Sequence, residues 1–163
     1  MIPEKATQLP KTAKIVWLIH DVIALLFLVV VEIIIYMLFL RGNFHQLAMM
    51  ILIIMVLIAT LPVIHMTLIP YFYRFRRYVI DDQAVYIYRG FIFRKSESIP
   101  LNRIQNVDTK QGPILRYFKL MDLSIETAAH GFQIEAIGEV TAKKLRGQLV
   151  EAALHAREVA SDD

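Results

Sequence analysis

The chain has 163 residues, of which 56% are hydrophobic and 20% are charged, and its mean hydropathy is +0.49. An ordinary soluble domain is about 45–50% apolar and about 25% charged, so a wholly water-soluble protein, a disordered chain and a disulfide scaffold are all excluded. The absence of cysteine excludes thiol catalysis, iron–sulfur clusters and cysteine-ligated zinc. A net charge of +3 is too small for composition to indicate a nucleic-acid-binding protein.

Two apolar runs, at residues 22–40 and 47–69, predict a transmembrane hairpin over residues 15–70. A helix rises about 1.5 Å per residue and the hydrocarbon core is about 30 Å thick, so each run is long enough to cross a bilayer. The connection between them, Arg41–Gln46, is short and contains the turn sequence Gly42-Asn43. We therefore expect two antiparallel helices.

Positive charge lies on both outer flanks of this hairpin, in an N-terminal tail of residues 1–14 and just after the second span. The basic residues of the two flanks are Lys5, Lys11, Lys14, Arg74, Arg76 and Arg77. The predicted loop carries only Arg41. The positive-inside rule then predicts a multi-pass protein of the cell membrane with both termini in the cytoplasm. The three arginines that follow the second span either only anchor the helix in this way or also contact anionic lipid head groups.

Glu32 interrupts the first span about 13 Å from Arg41 along the helix. A charged carboxylate at this depth costs about 2.5–3.5 kcal/mol on insertion scales, so it is either protonated or paired. One interpretation is a neutral side chain hydrogen-bonded within its own chain. The other is a helix–helix contact in an oligomer or with another membrane protein. Ion transport is disfavoured because two helices cannot enclose a pathway.

A second polar group, His20, Asp21 and His65, is predicted at the cytoplasmic end of the spans. Such a set has the side-chain types of a metal site. However, His20 and Asp21 are sequence neighbours and project at different angles from a helix. We therefore expect interfacial hydrogen bonds and no bound metal.

Residues 71–163 predict a β-rich cytoplasmic domain, either α+β or a small barrel, closed by a helix at about 139–159. The predicted strands cover residues 77–80, 84–89, 91–99, 104–109, 121–127 and 131–137. A single helical turn at 113–118 is opened by its proline. The apolar residues of the C-terminal helix near helical spacing are Val140, Leu145, Leu149, Ala152 and Ala153.

Several short motifs of this region resemble the bacterial pleckstrin-homology-like (PH-like) "membrane-flanked" domain family. The motif residues are Ile99-Pro100, Arg103-Ile104-Gln105-Asn106-Val107, Gln111-Gly112, Leu115-Arg116-Tyr117-Phe118 and Leu123-Ser124-Ile125-Glu126-Thr127-Ala128. The resemblance implies two transmembrane helices followed by a seven-stranded PH-like barrel that a C-terminal helix closes. It implies no established enzymatic activity, and its members are often encoded beside a larger membrane protein with several copies of the domain. Lys119 stands where the family commonly has glycine.

Two arginines of these motifs, Arg103 and Arg116, are candidates for contact with lipid head groups or with a carboxylate of a protein partner. The alternative for Arg116 is an ion pair with Asp122 or Glu126 that tethers the fold. Eukaryotic PH domains bind phosphoinositides through basic residues in the loop between their first two strands. The loop predicted at that place, Asp81-Asp82-Gln83, is acidic and disfavours phosphate there.

The sequence offers no catalytic motif, and we predict no catalytic residue, metal, cofactor, nucleic-acid partner or small-molecule substrate. The predicted function is a non-enzymatic interaction and assembly module in a membrane complex for envelope maintenance or defence against membrane-active agents. Its predicted partners are the lipid bilayer and another membrane protein with related PH-like domains, or a second copy of the chain. The alternative is a module that senses anionic lipid or organises the membrane.

Overall fold

The structure is a computed structural model. The residues it describes are 6–39, 45–81, 83–90 and 94–161. They divide into two compact units: a two-helix unit, Trp17–Pro70, and a β-rich unit that combines the described parts of Met1–Val16 and Tyr71–Asp163. The predicted chain reversal at Gly42-Asn43 lies outside the described residues.

Two long helices contain the apolar runs: α1 at Ala13–Phe39 and α2 at His45–Phe75. Both are long and apolar enough to cross a membrane. Each helix extends outward past its apolar run, because backbone hydrogen bonds continue whether or not the side chains are apolar. Within α2, Pro62 and Pro70 each remove one backbone donor, which helices in membranes tolerate more readily than helices in water.

The described part of the β-rich unit contains seven strands in two antiparallel sheets. The first sheet consists, in spatial order, of β1 (Thr7–Gln8), β2 (Arg77–Ile80), β3 (Ala84–Arg89) and β4 (Lys95–Pro100). The second consists of β5 (Ile104–Lys110), β6 (Leu120–Thr127) and β7 (Gly131–Gly138). A 3-10 turn at Leu101–Arg103 joins the sheets, a short helix α3 (Pro113–Tyr117) joins β5 to β6, and the helix α4 (Glu139–Ser161) follows β7. The predicted fold class is confirmed.

Strand β1 precedes the membrane helices in the chain, whereas its partner β2 follows them. Thr7 pairs with Tyr78 and Gln8 with Arg77. The hydroxyl of Tyr73 donates to the carbonyl of Leu9 at 3.0 Å, and Gln8 donates from Nε2 to the Tyr73 carbonyl at 3.3 Å. A two-residue strand is too short to show alternation, so the sequence pattern predicts only a tail here.

The prediction that the acidic turn Asp81-Asp82-Gln83 is the loop between the first two strands is wrong. That turn connects β2 to β3, and the connection between β1 and β2 contains both membrane helices. The missed strand β1 shifts the strand count by one. The acidity of the turn between β2 and β3 therefore has no bearing on the site at which eukaryotic PH domains bind phosphoinositides.

The core of the β-rich unit lies between the two sheets and α4. Its fully buried side chains include Val85, Ile99, Ile104, Leu123, Ile125, Ile137 and Leu149. Helix α4 buries Ala142, Leu149 and Ala153. Val140 was expected on the same apolar face of the helix, but it does not belong to this buried set, since it is 83% exposed. Two positions before Ala142 it lies about 200° around the helix, on the opposite side.

Lys119, between α3 and β6, adopts a left-handed backbone conformation with φ of 53°. Because the left-handed region costs an L-residue about 1–2 kcal/mol and glycine recovers part of that, we expect Lys119→Gly to stabilise the fold by about 0.5–1 kcal/mol. Thermal unfolding of the detergent-solubilised protein measures this gain. Lys119→Ala is the matched control, because it removes the charge but keeps the Cβ and should give no gain. Equal melting temperatures for the two variants would contradict the strain argument.

Helix α4 begins at Glu139, whose carboxylate accepts hydrogen bonds from Lys143 Nζ at 2.6 Å and Gln111 Nε2 at 3.4 Å. These two hydrogen bonds, with the charges of Lys143 and Lys119, hold the pKa of Glu139 below its ordinary value. Position in the first turn of a helix also favours a negative charge.

The lowered pKa gives a pH-dependent contribution to stability. A carboxyl group with a depressed folded-state pKa stabilises the fold above its unfolded pKa and loses this effect as pH falls through the folded pKa. We expect Glu139→Gln to melt below wild type at neutral pH, with the difference shrinking as the pH falls below the ordinary glutamate range. Thermal melts of both proteins over a pH series measure it. A melting-temperature difference that is constant across the pH series would contradict the lowered pKa of Glu139.

Candidate functional site

A polar contact between α1 and α2 is the hydrogen bond between Asp21 Oδ2 and His65 Nδ1, at 2.7 Å. The Asp21 side chain is 15% exposed and that of His65 is 42% exposed. The contact joins residues 44 positions apart, near the outer end of each apolar run. It fixes which faces of α1 and α2 meet at this level.

His20, the third member of the predicted cluster, is exposed on α1. Within the described part of the chain, no three His, Asp or Glu side chains come together in an arrangement that could hold a metal ion. The structure thus brings Asp21 and His65 together as a hydrogen-bonded pair and does not assemble the three residues into a ligand set.

Glu32 lies on the same face of α1 as Asp21. The less exposed residues of this face recur every three or four positions and are Asp21, Leu25, Leu28, Glu32 and Ile35. Since Asp21 contacts α2, this is the sheltered face of the helix, and Glu32 lies about 16 Å along the axis from Asp21. Among the described residues, Glu32 has no hydrogen-bond or ion-pair partner. The described part of the chain therefore leaves a carboxyl group unsatisfied in an apolar span.

The arginines that follow the second span have different environments. Arg76 forms an ion pair with Glu135 on β7, and Arg77 donates from Nη1 to the Ala6 carbonyl at 3.4 Å. Arg74 is exposed, 5.8 Å from the centre of the Phe75 ring. Two of the three predicted head-group residues therefore hold the β-rich unit together, and Arg74 is the most available to solvent.

Arg103 lines an open groove of about 760 Å³ on the β-rich unit. The groove residues are Ser98, Ile99, Pro100, Asn102, Arg103, Gln105, Thr127, Ala128, Ala129, His130 and Phe132. No carboxylate is among them, and the exposed guanidinium of Arg103 has no partner within the described residues. The groove therefore combines apolar walls with one uncompensated positive charge, which suits an anionic or hydrogen-bonding segment.

Arg116 is exposed on α3 and is not part of this groove. The expected ion pair of Arg116 with Asp122 or Glu126 is not found among the described residues. Asp122 instead accepts a hydrogen bond from the backbone N–H of Ala136 at 2.8 Å. Ala136 has a left-handed φ of 52° in the irregular part of the β6–β7 pairing, so the carboxylate stabilises that bulge. The two motif arginines thus occupy separate places.

A sequence model described as "Bacterial PH domain" matches residues 13–153, which include both membrane helices and most of the β-rich unit. The chain belongs to the bacterial PH domain family. The resemblance expected from the motifs is confirmed, and the protein is a transmembrane member of this family.

Two curated relatives of this family member come from Bacillus subtilis (strain 168). UPF0699 transmembrane protein YdbS is 33% identical over 73 residues, 45% of this chain and 46% of the relative. UPF0699 transmembrane protein YdbT is 38% identical over 60 residues, 37% of this chain and 12% of the relative. The matched segments therefore span about half of one relative and a small part of the other. No solved structure matches the chain.

Sequence reasoning missed the groove as a unit, because its residues come from β4, the 3-10 turn, β5 and the β6–β7 connection. His130 and Phe132 gave no local signal, and their ring centroids lie 5.4 Å apart in the structure. Only the strand order brings these segments together. The Asp21–His65 partnership could be anticipated in part, since both residues fall at the same depth of a predicted hairpin.

The Asp21–His65 hydrogen bond makes a testable contribution to stability. We expect Asp21→Ala and His65→Ala to be non-additive, with a coupling of about 0.6–1.7 kcal/mol, the range of hydrogen bonds between membrane helices. Unfolding of the full chain in detergent, measured for wild type, both single variants and the double variant, gives this coupling. Thr67, which bonds to the carbonyl of Ile64 in its own helix, is the control: Asp21→Ala and Thr67→Ala should be additive. Additivity in both cycles would show that the pair is energetically irrelevant.

Proposed function

We propose that this bacterial PH domain protein is a non-enzymatic, multi-pass membrane protein that assembles with other transmembrane helices through Glu32. The supporting observation is that Glu32, within the apolar span of α1, has no hydrogen-bond or ion-pair partner among the described residues. A carboxyl group in the hydrocarbon region costs several kcal/mol unless it is neutral or hydrogen-bonded. A hydrogen bond to a polar group on a neighbouring helix removes this cost, and the association of the two helices is thereby favoured.

The strand pairing supports the proposed topology. Strands β1 and β2 flank the two membrane helices in the chain and hydrogen-bond to each other. Paired strands cannot lie on opposite sides of a bilayer, because no uncovered backbone pairing spans the hydrocarbon core. The pairing therefore supports an even number of crossings, with both flanks on one side. The basic flanks favour the cytoplasm as that side.

The PH-like domain is the second half of the proposed assembly module. Its groove at Arg103 offers a positive charge between apolar walls, which suits a carboxylate-bearing segment of a partner protein. We propose as partner a membrane protein with related PH-like domains, or a second copy of this chain. The similarity of this chain to two proteins of different length in one bacterium supports the idea that short and long members coexist. Envelope maintenance or defence against membrane-active agents is the proposed process, on the basis of location.

Substitution of Glu32 tests the assembly. We expect wild-type protein to purify in mild detergent as a complex, and Glu32→Leu to lose the associated subunits, because leucine offers no hydrogen bond. Glu32→Gln retains hydrogen bonding and should keep at least part of the complex. Size-exclusion chromatography with mass determination, together with in-membrane cross-linking, measures composition.

Two controls separate the carboxyl group from helix packing. Ile34→Leu changes an exposed apolar residue at a similar depth and should leave the complex intact. The double variant Glu32→Ile with Ile33→Glu moves the carboxyl group about 100° around the helix and should not restore assembly. Wild-type protein that is alone and monomeric, or a Glu32→Leu variant with an unchanged complex, would overturn the proposal.

A further inference from the structure

Among the described residues of the β-rich unit, the two most exposed large apolar side chains are Tyr117 at 82% and Val140 at 83%. They are 23 positions apart in sequence, but the fold brings their segments together. The backbone N–H of Glu139 donates to the carbonyl of Lys119 at 2.9 Å, and each apolar residue lies within two positions of this hydrogen bond. We call residues 116–119 and 139–144 the basic corner.

The basic corner carries an excess of positive charge. Its basic residues are Arg116, Lys119, Lys143 and Lys144, all of them exposed. Its acidic residue, Glu139, is paired with Lys143 at 2.6 Å. Arg116 and Lys144 have no side-chain partner within the described part of the chain. The corner therefore presents an amphipathic aromatic ring and an aliphatic side chain beside four cations, of which only Lys143 is paired with a carboxylate.

This combination fits the surface of an anionic bilayer. Tyrosine is enriched where a membrane meets water because its ring is apolar and its hydroxyl can remain hydrated. Basic residues near an anionic leaflet each contribute about 1 kcal/mol. Lysine and arginine can bury their aliphatic stems while their charges stay in water.

A protein partner is a poorer fit to the same surface. A stable protein–protein interface buries roughly 800 Å² on each side around a central apolar anchor, and two isolated apolar side chains do not supply this. A bilayer, in contrast, is present wherever this chain is, since its own helices cross it. Tethering raises the effective concentration of the membrane, so a contact that is weak by itself suffices.

We propose that the basic corner is a lipid-binding site, which docks the PH-like domain on the surface of an anionic membrane through Tyr117 and Val140, with Arg116, Lys119 and Lys144 contacting head groups. The site is separate from the arginines that follow the second span. It goes beyond the assembly role and does not depend on Glu32.

The chain's only tryptophan, Trp17, makes a fluorescence test direct. Full-length Trp17→Phe/Tyr117→Trp is reconstituted into vesicles of phosphatidylcholine alone or mixed with phosphatidylglycerol, with brominated lipid as quencher. We expect a blue-shifted, quenched emission from position 117 in the anionic vesicles and a solvent-exposed emission in the zwitterionic ones. The matched reporter is Trp17→Phe/Gln83→Trp, at an exposed position in the turn that follows β2, at the end of β2 opposite to α2, which should show neither.

Charge reversal tests the head-group contact. Arg116→Glu with Lys144→Glu breaks no side-chain hydrogen bond or ion pair of the described residues and should bring the quenching at position 117 down to that at position 83. Unchanged thermal melting confirms that the variant is folded. Equal quenching at 117 and 83, no difference between the two lipid compositions, or no effect of charge reversal in a folded variant would each overturn the proposal. Cross-linking of position 117 to another protein without lipid quenching would do the same and identify a protein interface instead.

Discussion

The pairing of β1 with β2 is the interaction on which the rest of the structure depends. It involves few hydrogen bonds, yet it connects the segment before the first membrane helix to the segment after the second. Tyr73 and Arg77 reinforce it through contacts to Leu9 and Ala6, and Lys14 lies 4.8 Å from the centre of the Tyr73 ring. Basic residues that the positive-inside rule would explain by itself therefore also contribute to holding the two paired segments together.

A carboxyl group in an apolar span needs a hydrogen-bond partner, and the two-helix unit supplies one at one of two depths. Asp21, near the end of its apolar run, is satisfied within the chain by His65. Glu32 lies deeper, where α2 offers only apolar side chains at the corresponding level, and it has no partner among the described residues. A satisfied polar pair stabilises the fold of one chain, whereas an unsatisfied carboxyl group on the same face favours contact with another. This contrast is the physical basis for assigning assembly to Glu32.

The sequence predicted most of the elements, because hydrophobic period and turn residues are local signals. Strands at 77–80 and 84–89 and the start of α4 at Glu139 agree with the structure. The errors arise where an element depends on a partner far away in the sequence, or where a residue was assigned to a helix face by approximate spacing. Strand β1 depends on a partner about 70 positions away, and Val140 satisfies an apolar count while lying on the wrong side of its helix. The groove at Arg103 and the basic corner are assembled by topology, so no single segment could reveal them.

The insertion of two spans between consecutive strands also imposes an order on folding. Strand β1 is synthesised first but has nothing to pair with until the ribosome has made both helices and Tyr78 has emerged. A chain in which one helix failed to insert would hold the two strands on opposite faces of the bilayer, and the first sheet would lack its edge. Completion of the first sheet thus requires the segments on both sides of the two helices to reach the same side of the membrane. Such a non-local contact is expected to close slowly.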